Sequence, residues 1–401
     1  MEIHSKNLTT QKNDTECSIY CHTLKTSSQM KEKHFNQAYT TINLNDANLD
    51  LSFDLTHSKC LNETISNSYF NNMNQLFAQI INPQFRKNAL INICKSIEEN
   101  TLDIGGLIDS RPGIMAALIL EIVQRYPIDK SRPLSSESYE IICSIIVIFQ
   151  HIILNSKFRR NFVSTGVLAY LLPYFNIESQ TRNSEHLRVS LLGLYATMAS
   201  KLSVDDMESI LFPESNAYFN EETENEGRLD KIDNEANFNQ YNICALNDLF
   251  TQTLKALIQC TTEVGKNMAL ILLARLLNSK HQRTRLYHNH SLFNWLISCL
   301  TQVTGYMVKR FTVDIQQQFV HETHLCEKYA RATLMKAKRL LQVTMECFNQ
   351  LIIDLRLRNR LRDSLPIELR SNIFSVILLH DQDVQLWLEK IWFQLGWNKM
   401  N

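Results

Sequence analysis

Residues 181–200, TRNSEHLRVSLLGLYATMAS, are the stretch of this sequence that decides the fold. Apolar side chains recur there at steps of four, three and four residues, at Leu187, Leu191, Leu194 and Met198. This spacing places them on one face of an α-helix. Thr181 precedes the stripe and is a candidate N-cap, because its hydroxyl can accept a hydrogen bond from a first-turn backbone N–H. The stretch predicts a helix that buries one face.

The same pattern returns on either side of this stretch. Residues 262–278 and 334–353 carry comparable stripes, and residues 113–126 are apolar nearly all round, which predicts a central helix with neighbours on most sides. Nine Gly and seven Pro in 401 residues are too few for the turns of a many-stranded sheet protein. Since no segment alternates as a strand does, the sequence predicts an all-α fold.

A short Arg-bearing motif repeats along the chain. Asn82-Pro-Gln-Phe-Arg-Lys-Asn-Ala-Leu90 returns as Asn155-Ser-Lys-Phe-Arg-Arg-Asn-Phe-Val163, with weaker versions at 280–286 and 355–361. Each copy is a short helical start after a polar turn, with a long apolar helix beside it. Repeats of about 40–47 residues with this rhythm are typical of armadillo and HEAT arrays. The sequence therefore predicts an armadillo-like helical-repeat superhelix, whose concave surface is a binding surface.

The composition divides the chain into regions. Residues 1–70 are polar and predict a disordered N-terminal extension, and residues 71–397 predict the repeat domain. Residues 213–243 are acidic and Asn-rich and predict an inserted loop, while residues 304–330 predict either a second insertion or an extended helix. The start of the chain lacks a secretory leader, and no apolar stretch is long and unbroken enough to span a membrane. We therefore expect a cytoplasmic protein with free thiols. A second location in the nucleus is the alternative.

Catalytic and cofactor signatures are missing from the sequence. Phosphate-binding glycine loops, GxSxG and HExxH do not occur, so we expect no enzyme and no cofactor. Two clusters were weighed as metal ligands, His321-Glu-Thr-His324-Leu-Cys326 and Cys17-Ser-Ile-Tyr-Cys21-His22. Neither has a partner pair at zinc-finger spacing, so chance placement is favoured and no metal is expected.

Electrostatic function has to come from local clustering, since 41 Lys and Arg balance 41 Asp and Glu. A solvated, locally paired surface is the favoured interpretation of the basic residues. The alternative is that the superhelix gathers some of them into a groove for single-stranded nucleic acid. The candidates for that groove are Arg182, Arg275, Lys336 and Arg339.

Three segments in chain order resemble one protein family. They are Pro83-Gln-Phe-Arg-Lys-Asn-Ala-Leu90 with 114–127, then Thr181-Arg-Asn-Ser-Glu-His-Leu-Arg-Val-Ser-Leu-Leu-Gly193, and finally 339–366 followed by Trp387-Leu388. This pattern is similar to the cell-differentiation family, the Rcd/Caf-type armadillo-repeat subunit of the CCR-NOT mRNA deadenylase complex. The resemblance spans about residues 72–395 outside the two insertions.

The resemblance implies a non-catalytic adaptor. One surface would dock on the NOT scaffold subunit, and others would bind short linear motifs of RNA-binding repressor proteins, so that recruited mRNAs are deadenylated, repressed in translation and degraded. Single-stranded nucleic acid is a further partner implied by the family, and self-association as a homodimer is left open. A nucleic-acid-binding armadillo protein is the alternative function.

The resemblance also assigns residues. The peptide-binding groove falls on Glu185, His186, Arg188, Val189 and Gly193, and the scaffold-docking surface on Lys266, Asn267 and Met268. The family's tryptophan-accepting pocket falls on His290, Leu292 and Phe293, where an Arg is lost and a Tyr is altered, so this pocket is expected to be degenerate. A glycine in the middle of a helix weakens it, so Gly193 implies close approach of either a ligand or a neighbouring helix.

Overall fold

The computed structural model describes residues 71–397 apart from 100–103, 110, 112, 128, 212–247, 319–323, 372 and 375–381. Within these described residues every regular element is a helix and there is no strand. The predicted all-α fold is confirmed. The predicted N-terminal extension and the predicted insertion at 213–243 lie outside the described residues.

Helices follow one another in the described parts of the chain. Residues 71–81 are helical and are followed by α1 (Pro83–Glu99), α2 (Ile104–Asp109), α3 (Ile114–Gln124), α4 (Ser136–Leu154) and α5 (Ser156–Ser164). A 3₁₀ segment, Val167–Asn176, leads to α6 (Arg182–Lys201), α7 (Val204–Leu211), α8 (Leu249–Gln259), α9 (Glu263–Leu277) and α10 (Lys280–His288). The last elements are α11 (His290–Gln318), α12 (His324–Ile353), α13 (Leu355–Ser364), α14 (Ile367–Arg370) and α15 (Gln382–Gln394).

Five long helices form a stacked row in chain order. Helix α1 packs on α4, α4 on α6, α6 on α9 and α9 on α12, and α15 then packs on α12. Short helices α5, α7, α10 and α13 each follow a helix of this row and start a new turn of the array. Stacking of similar helical units, each contacting its neighbours, is the arrangement that the repeated motif predicted.

The predicted apolar stripes are buried in this row. In α6 the four residues of the opening stripe are at most 1% exposed. In α12 the corresponding residues Leu341, Met345, Phe348 and Ile352 are at most 2% exposed. The Thr181 hydroxyl accepts a hydrogen bond from the Ser184 N–H, as expected of an N-cap. Helix α3 differs from its prediction, since Leu120 and Val123 are exposed and the helix is buried on one side only.

The repeated Arg motif joins two helix ends at once. An Asn, Ser or Asp accepts a hydrogen bond from a backbone N–H at the start of the short helix, and an Arg four residues later donates to a carbonyl at the end of the preceding helix. The arginines are Arg86, Arg159, Arg283 and Arg358, which reach Ile80, Ile153, Leu277 and Ile352 at 2.6–2.9 Å. The caps are Asn82, Asn155, Ser279 and Asp354. Because terminal helix carbonyls have no partner within their own helix, the motif satisfies them where two repeats meet.

Helix α4 is long and apolar enough to span a membrane by length and mean hydropathy, which is 1.6 over its best window. Half of that window is buried inside the protein, and α4 packs between α1 and α6. It is therefore a core helix of the row. At 304–330, residues 304–318 continue α11 and residues 324–330 open α12, and the insertion predicted for this segment stays a prediction.

Candidate interaction surface

Glu185 lies in the first turn of α6 and is buried. Its Oε1 atom accepts hydrogen bonds from the backbone N–H groups of Thr261 and Thr262 at 3.1 Å and from the Thr262 hydroxyl at 2.8 Å. Its Oε2 atom accepts from Arg188 Nη1 at 2.8 Å, and Arg188 Nη2 donates to the Ile177 carbonyl at 3.1 Å. A carboxylate at the N-terminus of α9 is favoured because the unpaired N–H groups there carry partial positive charge. This pair therefore fixes α6 against α9.

Gly193 and Val189 are also buried on α6. A Cβ atom at Gly193 would stand 3.3 Å from Gln150 Nε2 of α4, which is tighter than an ordinary contact. The Gly193 carbonyl accepts a hydrogen bond from Thr197 Oγ1 at 2.8 Å. Of the two explanations offered for a mid-helix glycine, close approach of a neighbouring helix is therefore present in the structure.

His186 is the half-exposed member of the predicted groove set, and the other four residues are buried. Its Nδ1 atom lies 2.5 Å from the Tyr139 hydroxyl of α4, and the two rings meet edge to face at 5.8 Å. Burial raises the pKa of Tyr139 well above its usual range. One turn along α6, Ser190 is half-exposed on the same face and donates to the His186 carbonyl at 2.9 Å. His186 and Ser190 are thus accessible to a peptide on this face of α6, as are exposed Arg182 and half-exposed Asn183 at the start of the helix. Peptide binding at the five predicted residues stays a prediction.

The predicted scaffold-docking residues lie at the start of α9. Lys266 is half-buried, its Nζ donates to the Cys260 carbonyl at 2.6 Å, and the ammonium group lies 5.1 Å from the centre of the Tyr306 ring. Burial lowers the pKa of Lys266. Asn267 and Met268 are 3% and 1% exposed, so their side chains do not reach the surface. A docking partner at this position would contact the exposed residues around Asn267 and Met268. The docking role of the predicted residues stays a prediction.

At the predicted tryptophan pocket, Leu292 and Phe293 are buried and His290 is exposed. Arg360 of α13 reaches this position: its Nη2 lies 2.8 Å from His290 Nε2, and its Nη1 donates to the Tyr287 carbonyl at 2.8 Å. The Arg360 guanidinium also stacks 4.7 Å from the Tyr287 ring centre and 6.0 Å from that of Phe293. Arg360 of another helix thus lies beside His290 and Phe293, the segment in which the family resemblance predicts an arginine that the local sequence lacks.

Sequence reasoning had assigned Arg360 no role at this position. The signal was present, since Arg360 belongs to the weak motif copy at 355–361, but its partners are 70 to 73 residues away in the chain. Periodicity reports which residues share a helix face and gives no information on contacts over such a distance.

The four residues predicted for a nucleic-acid groove are spread along the row. Arg182 opens α6 and Arg275 lies in the last turn of α9, while Lys336 and Arg339 lie in α12. Helices α9 and α12 run parallel, since Cys347 Sγ lies 3.5 Å from the Leu270 carbonyl and the helices that follow each, α10 and α13, are in contact. Arg339 precedes Cys347 by eight residues and Arg275 follows Leu270 by five.

A rise of about 1.5 Å per residue then separates Arg339 from Arg275 by about 20 Å along the helix axes. The structure therefore does not bring all four basic residues into one cluster, and a nucleic-acid role for them stays a prediction.

The side chains of the two clusters considered as metal ligands lie outside the described part of the chain. Four of their residues, His321, Cys17, Cys21 and His22, are outside it entirely, and the side chains of His324 and Cys326 are outside it as well. Among the residues that the structure describes, no group of three or more His, Cys, Asp or Glu side chains is placed to hold a metal ion.

Comparison with known proteins identifies a family match. Residues 76–214, which include α1 to α7, match the model of the cell differentiation family, Rcd1-like. The predicted family resemblance is confirmed. The matched segment contains the first two copies of the Arg motif and the whole of α6, so the Rcd1-like part of the chain includes the candidate groove helix.

Two curated relatives extend the comparison. Protein CAF40 of Saccharomyces cerevisiae is 21% identical over 296 residues, which are 74% of this chain and 63% of CAF40. Cell differentiation protein rcd1 of Schizosaccharomyces pombe is 24% identical over 136 residues, which are 34% of this chain and 48% of rcd1. The chain thus spans less than two thirds of the length of either relative.

Proposed function

We propose that this protein is a non-catalytic adaptor subunit of the CCR-NOT mRNA deadenylase complex. It docks on the NOT scaffold subunit and binds short peptide motifs of RNA-binding repressor proteins, so that bound mRNAs are deadenylated, degraded and repressed in translation. The observation that carries the proposal is the Rcd1-like match over residues 76–214, together with the similarity to CAF40 over 74% of the chain.

The architecture supports a rigid binding surface. Buried charged groups lie at the helix junctions: Glu185, paired with Arg188 within α6, accepts hydrogen bonds from the start of α9, and Glu121 of α3 pairs with Arg86 of α1. Arginines also cap helix ends. Buried charges are tolerated only when they are paired and hydrogen-bonded, so these contacts hold neighbouring repeats in one geometry. A surface that is ordered before binding loses little conformational entropy when a peptide docks on it.

Complex membership is tested by purifying the tagged full-length chain from its native cells and identifying bound proteins by mass spectrometry. We expect the NOT scaffold and a deadenylase subunit, and we expect the tagged chain in the cytoplasm and in the nucleus. A second arm tethers the chain to a reporter mRNA, whose poly(A) tail should shorten faster than with the tether alone. Purification without any NOT scaffold subunit would overturn the proposal.

Peptide capture is tested on the half-exposed face of α6. Ser190→Arg places a long charged side chain beside His186, and Ser209→Arg makes the same change on the exposed face of α7. We expect Ser190→Arg to reduce co-purification of repressor proteins while the NOT scaffold is retained, and Ser209→Arg to change neither. Equal loss of repressors in both variants, or in neither, would argue against this face as the peptide site.

A further inference from the structure

Helices α10 and α13 form a strongly basic edge of the array. They are in contact with each other, and each follows the C-terminal end of a row helix. Helix α10 carries three Lys or Arg residues and no acidic residue, and α13 carries four Arg and one Asp. The predicted peptide groove, the docking surface and the nucleic-acid groove use none of these seven residues. We call this surface the basic edge.

Two of the arginines cap helix ends, and two others stack on an aromatic ring. Arg283 and Arg358 cap the preceding helices. The Arg356 and Arg360 guanidinium groups lie 4.5 Å and 4.7 Å from the centre of the Tyr287 ring. Stacked guanidinium groups lose less freedom when they bind a carboxylate or phosphate than freely moving ones do.

Two of the remaining basic residues of the edge, Lys280 and Arg362, are exposed, as are the imidazoles of His288 and His290, whereas Arg285 is half-exposed. Acidic groups lie within and beside the edge: Asp354 pairs with Arg356, Asp363 is exposed near the end of α13, and Glu208 accepts a hydrogen bond from the Lys280 backbone N–H. The exposed positive charge of the basic edge is therefore only partly balanced by its neighbours.

We infer that the basic edge binds an acidic linear peptide segment, with carboxylate or phosphate groups facing the exposed Lys280 and Arg362. Helix α10 has nine residues and is about 13 Å long, a length that about four residues of extended peptide span. Guanidinium groups recognise carboxylates and phosphates through paired hydrogen bonds, which favours a segment with closely spaced acidic side chains.

One observation favours a peptide over single-stranded nucleic acid. Arg356 and Arg360 already stack on Tyr287, and bases need an uncovered aromatic ring for stacking. Helix α7, whose Glu208 lies at the start of α10, places Asp205 and Asp206 beside the edge, so an anionic ligand is not expected to extend in that direction. This inference does not require membership of the CCR-NOT complex.

The test measures binding of a labelled peptide to the purified full-length chain by fluorescence anisotropy. The probe alternates Glu and Ser, and its control alternates Gln and Ser. The variant Lys280→Glu with Arg362→Glu reverses two exposed charges of the basic edge, while Lys255→Glu with Lys309→Glu makes the same change at exposed positions on α8 and α11. Thermal unfolding followed by circular dichroism checks that both variants keep the fold.

We expect the Glu peptide to bind the native chain and the α8/α11 variant alike, and the basic-edge variant about tenfold more weakly. Binding should weaken as salt rises. Equal affinity of the two variants, or equal affinity for the Gln peptide, would overturn the inference. Tighter binding of an oligonucleotide of similar length, lost in the basic-edge variant, would overturn it in favour of a nucleic-acid site. Loss of the scaffold in the purification experiment leaves this result unaffected.

Discussion

The buried Glu185–Arg188 pair gives the sharpest test of how the repeats are joined. The Glu185 carboxylate accepts four hydrogen bonds, three from the start of α9 and one from Arg188. Both residues are buried, at 8% and 3% exposure, so neither charge is well solvated. The perturbation is Glu185→Gln, which keeps the shape of the side chain and removes its charge.

The expected cost follows from what Arg188 then faces. The Gln carbonyl can still accept from α9, but its amide N–H₂ group would point at the Arg188 guanidinium, leaving a buried positive charge without a counter-ion. Removing one partner of a buried pair costs about 3–5 kcal/mol, and we expect about 3 kcal/mol because some acceptors remain. Replacing Arg188 with Met in this variant removes the unpaired charge. It also removes the hydrogen bond from Arg188 to the Ile177 carbonyl, which costs about 1 kcal/mol of stability.

The four members of this double-mutant cycle are compared by urea and thermal unfolding, followed by circular dichroism. Glu185→Gln should lower the melting temperature by about 6–12 °C, given about 2–4 °C per kcal/mol for large domains. Adding Arg188→Met should recover part of this loss, although Arg188→Met alone destabilises the native chain. If the two substitutions instead add within about 0.5 kcal/mol, the residues are not coupled and the reasoning that buried Arg188 depends on the Glu185 carboxylate is wrong.

Three further predictions concern single positions. Arg159→Ala should destabilise the chain by about 2 kcal/mol in urea unfolding because it leaves helix carbonyls unpaired, whereas exposed Arg160→Ala should cost under about 0.5 kcal/mol. Gly265→Ala should lower the melting temperature because its Cβ would meet Cys260 Sγ at 2.7 Å, whereas Gly193→Ala should be nearly neutral because the flexible end of a Gln side chain can move away. Burial raises the pKa of the Cys260 thiol to about 12, so iodoacetamide at pH 8 should modify it far more slowly in the native chain than in urea. Since this folded pKa is raised, the stability contribution of the Cys260 thiol is present below about pH 9 and is lost as the pH rises toward 12, and a Cys260→Ala variant should lack that step.

The elements that the sequence predicted well are those defined by local rules. The stripe of α6 and its Thr181 cap need only helical periodicity and one side chain that accepts a hydrogen bond from the first turn. Helix α3 shows the limit of this reasoning, because an apolar composition predicted neighbours on most sides and Leu120 is 47% exposed. Composition tells how apolar a helix is, but neighbouring helices decide how many of its faces are covered.

The candidate site was harder to predict, because the roles of its residues depend on contacts across the array. Glu185 and Arg188 are charged, and from the sequence a charged pair on a helix is expected at the surface. The hydrogen-bond donors to Glu185 include Thr261 and Thr262, which are 76 and 77 residues away. Of the residues that the family resemblance assigned to the groove, only His186 is half-exposed and the other four are buried, and the groove itself stays a prediction.

The Arg motif combines a local sequence pattern with contacts between helices. Its sequence signal is local, an Asn, Ser or Asp followed four residues later by Arg, yet each copy stabilises a junction between two helices. Arg159 also donates to the Lys201 carbonyl, so one copy of the motif reaches the end of the next row helix as well. Thr262 with Lys266 has the same spacing, and Lys266 donates to the Cys260 carbonyl two residues before the cap. A search for this spacing that also allowed Thr at the cap and Lys in place of Arg would have matched the α8–α9 junction. Helical periodicity alone does not distinguish such a match from an ordinary polar turn.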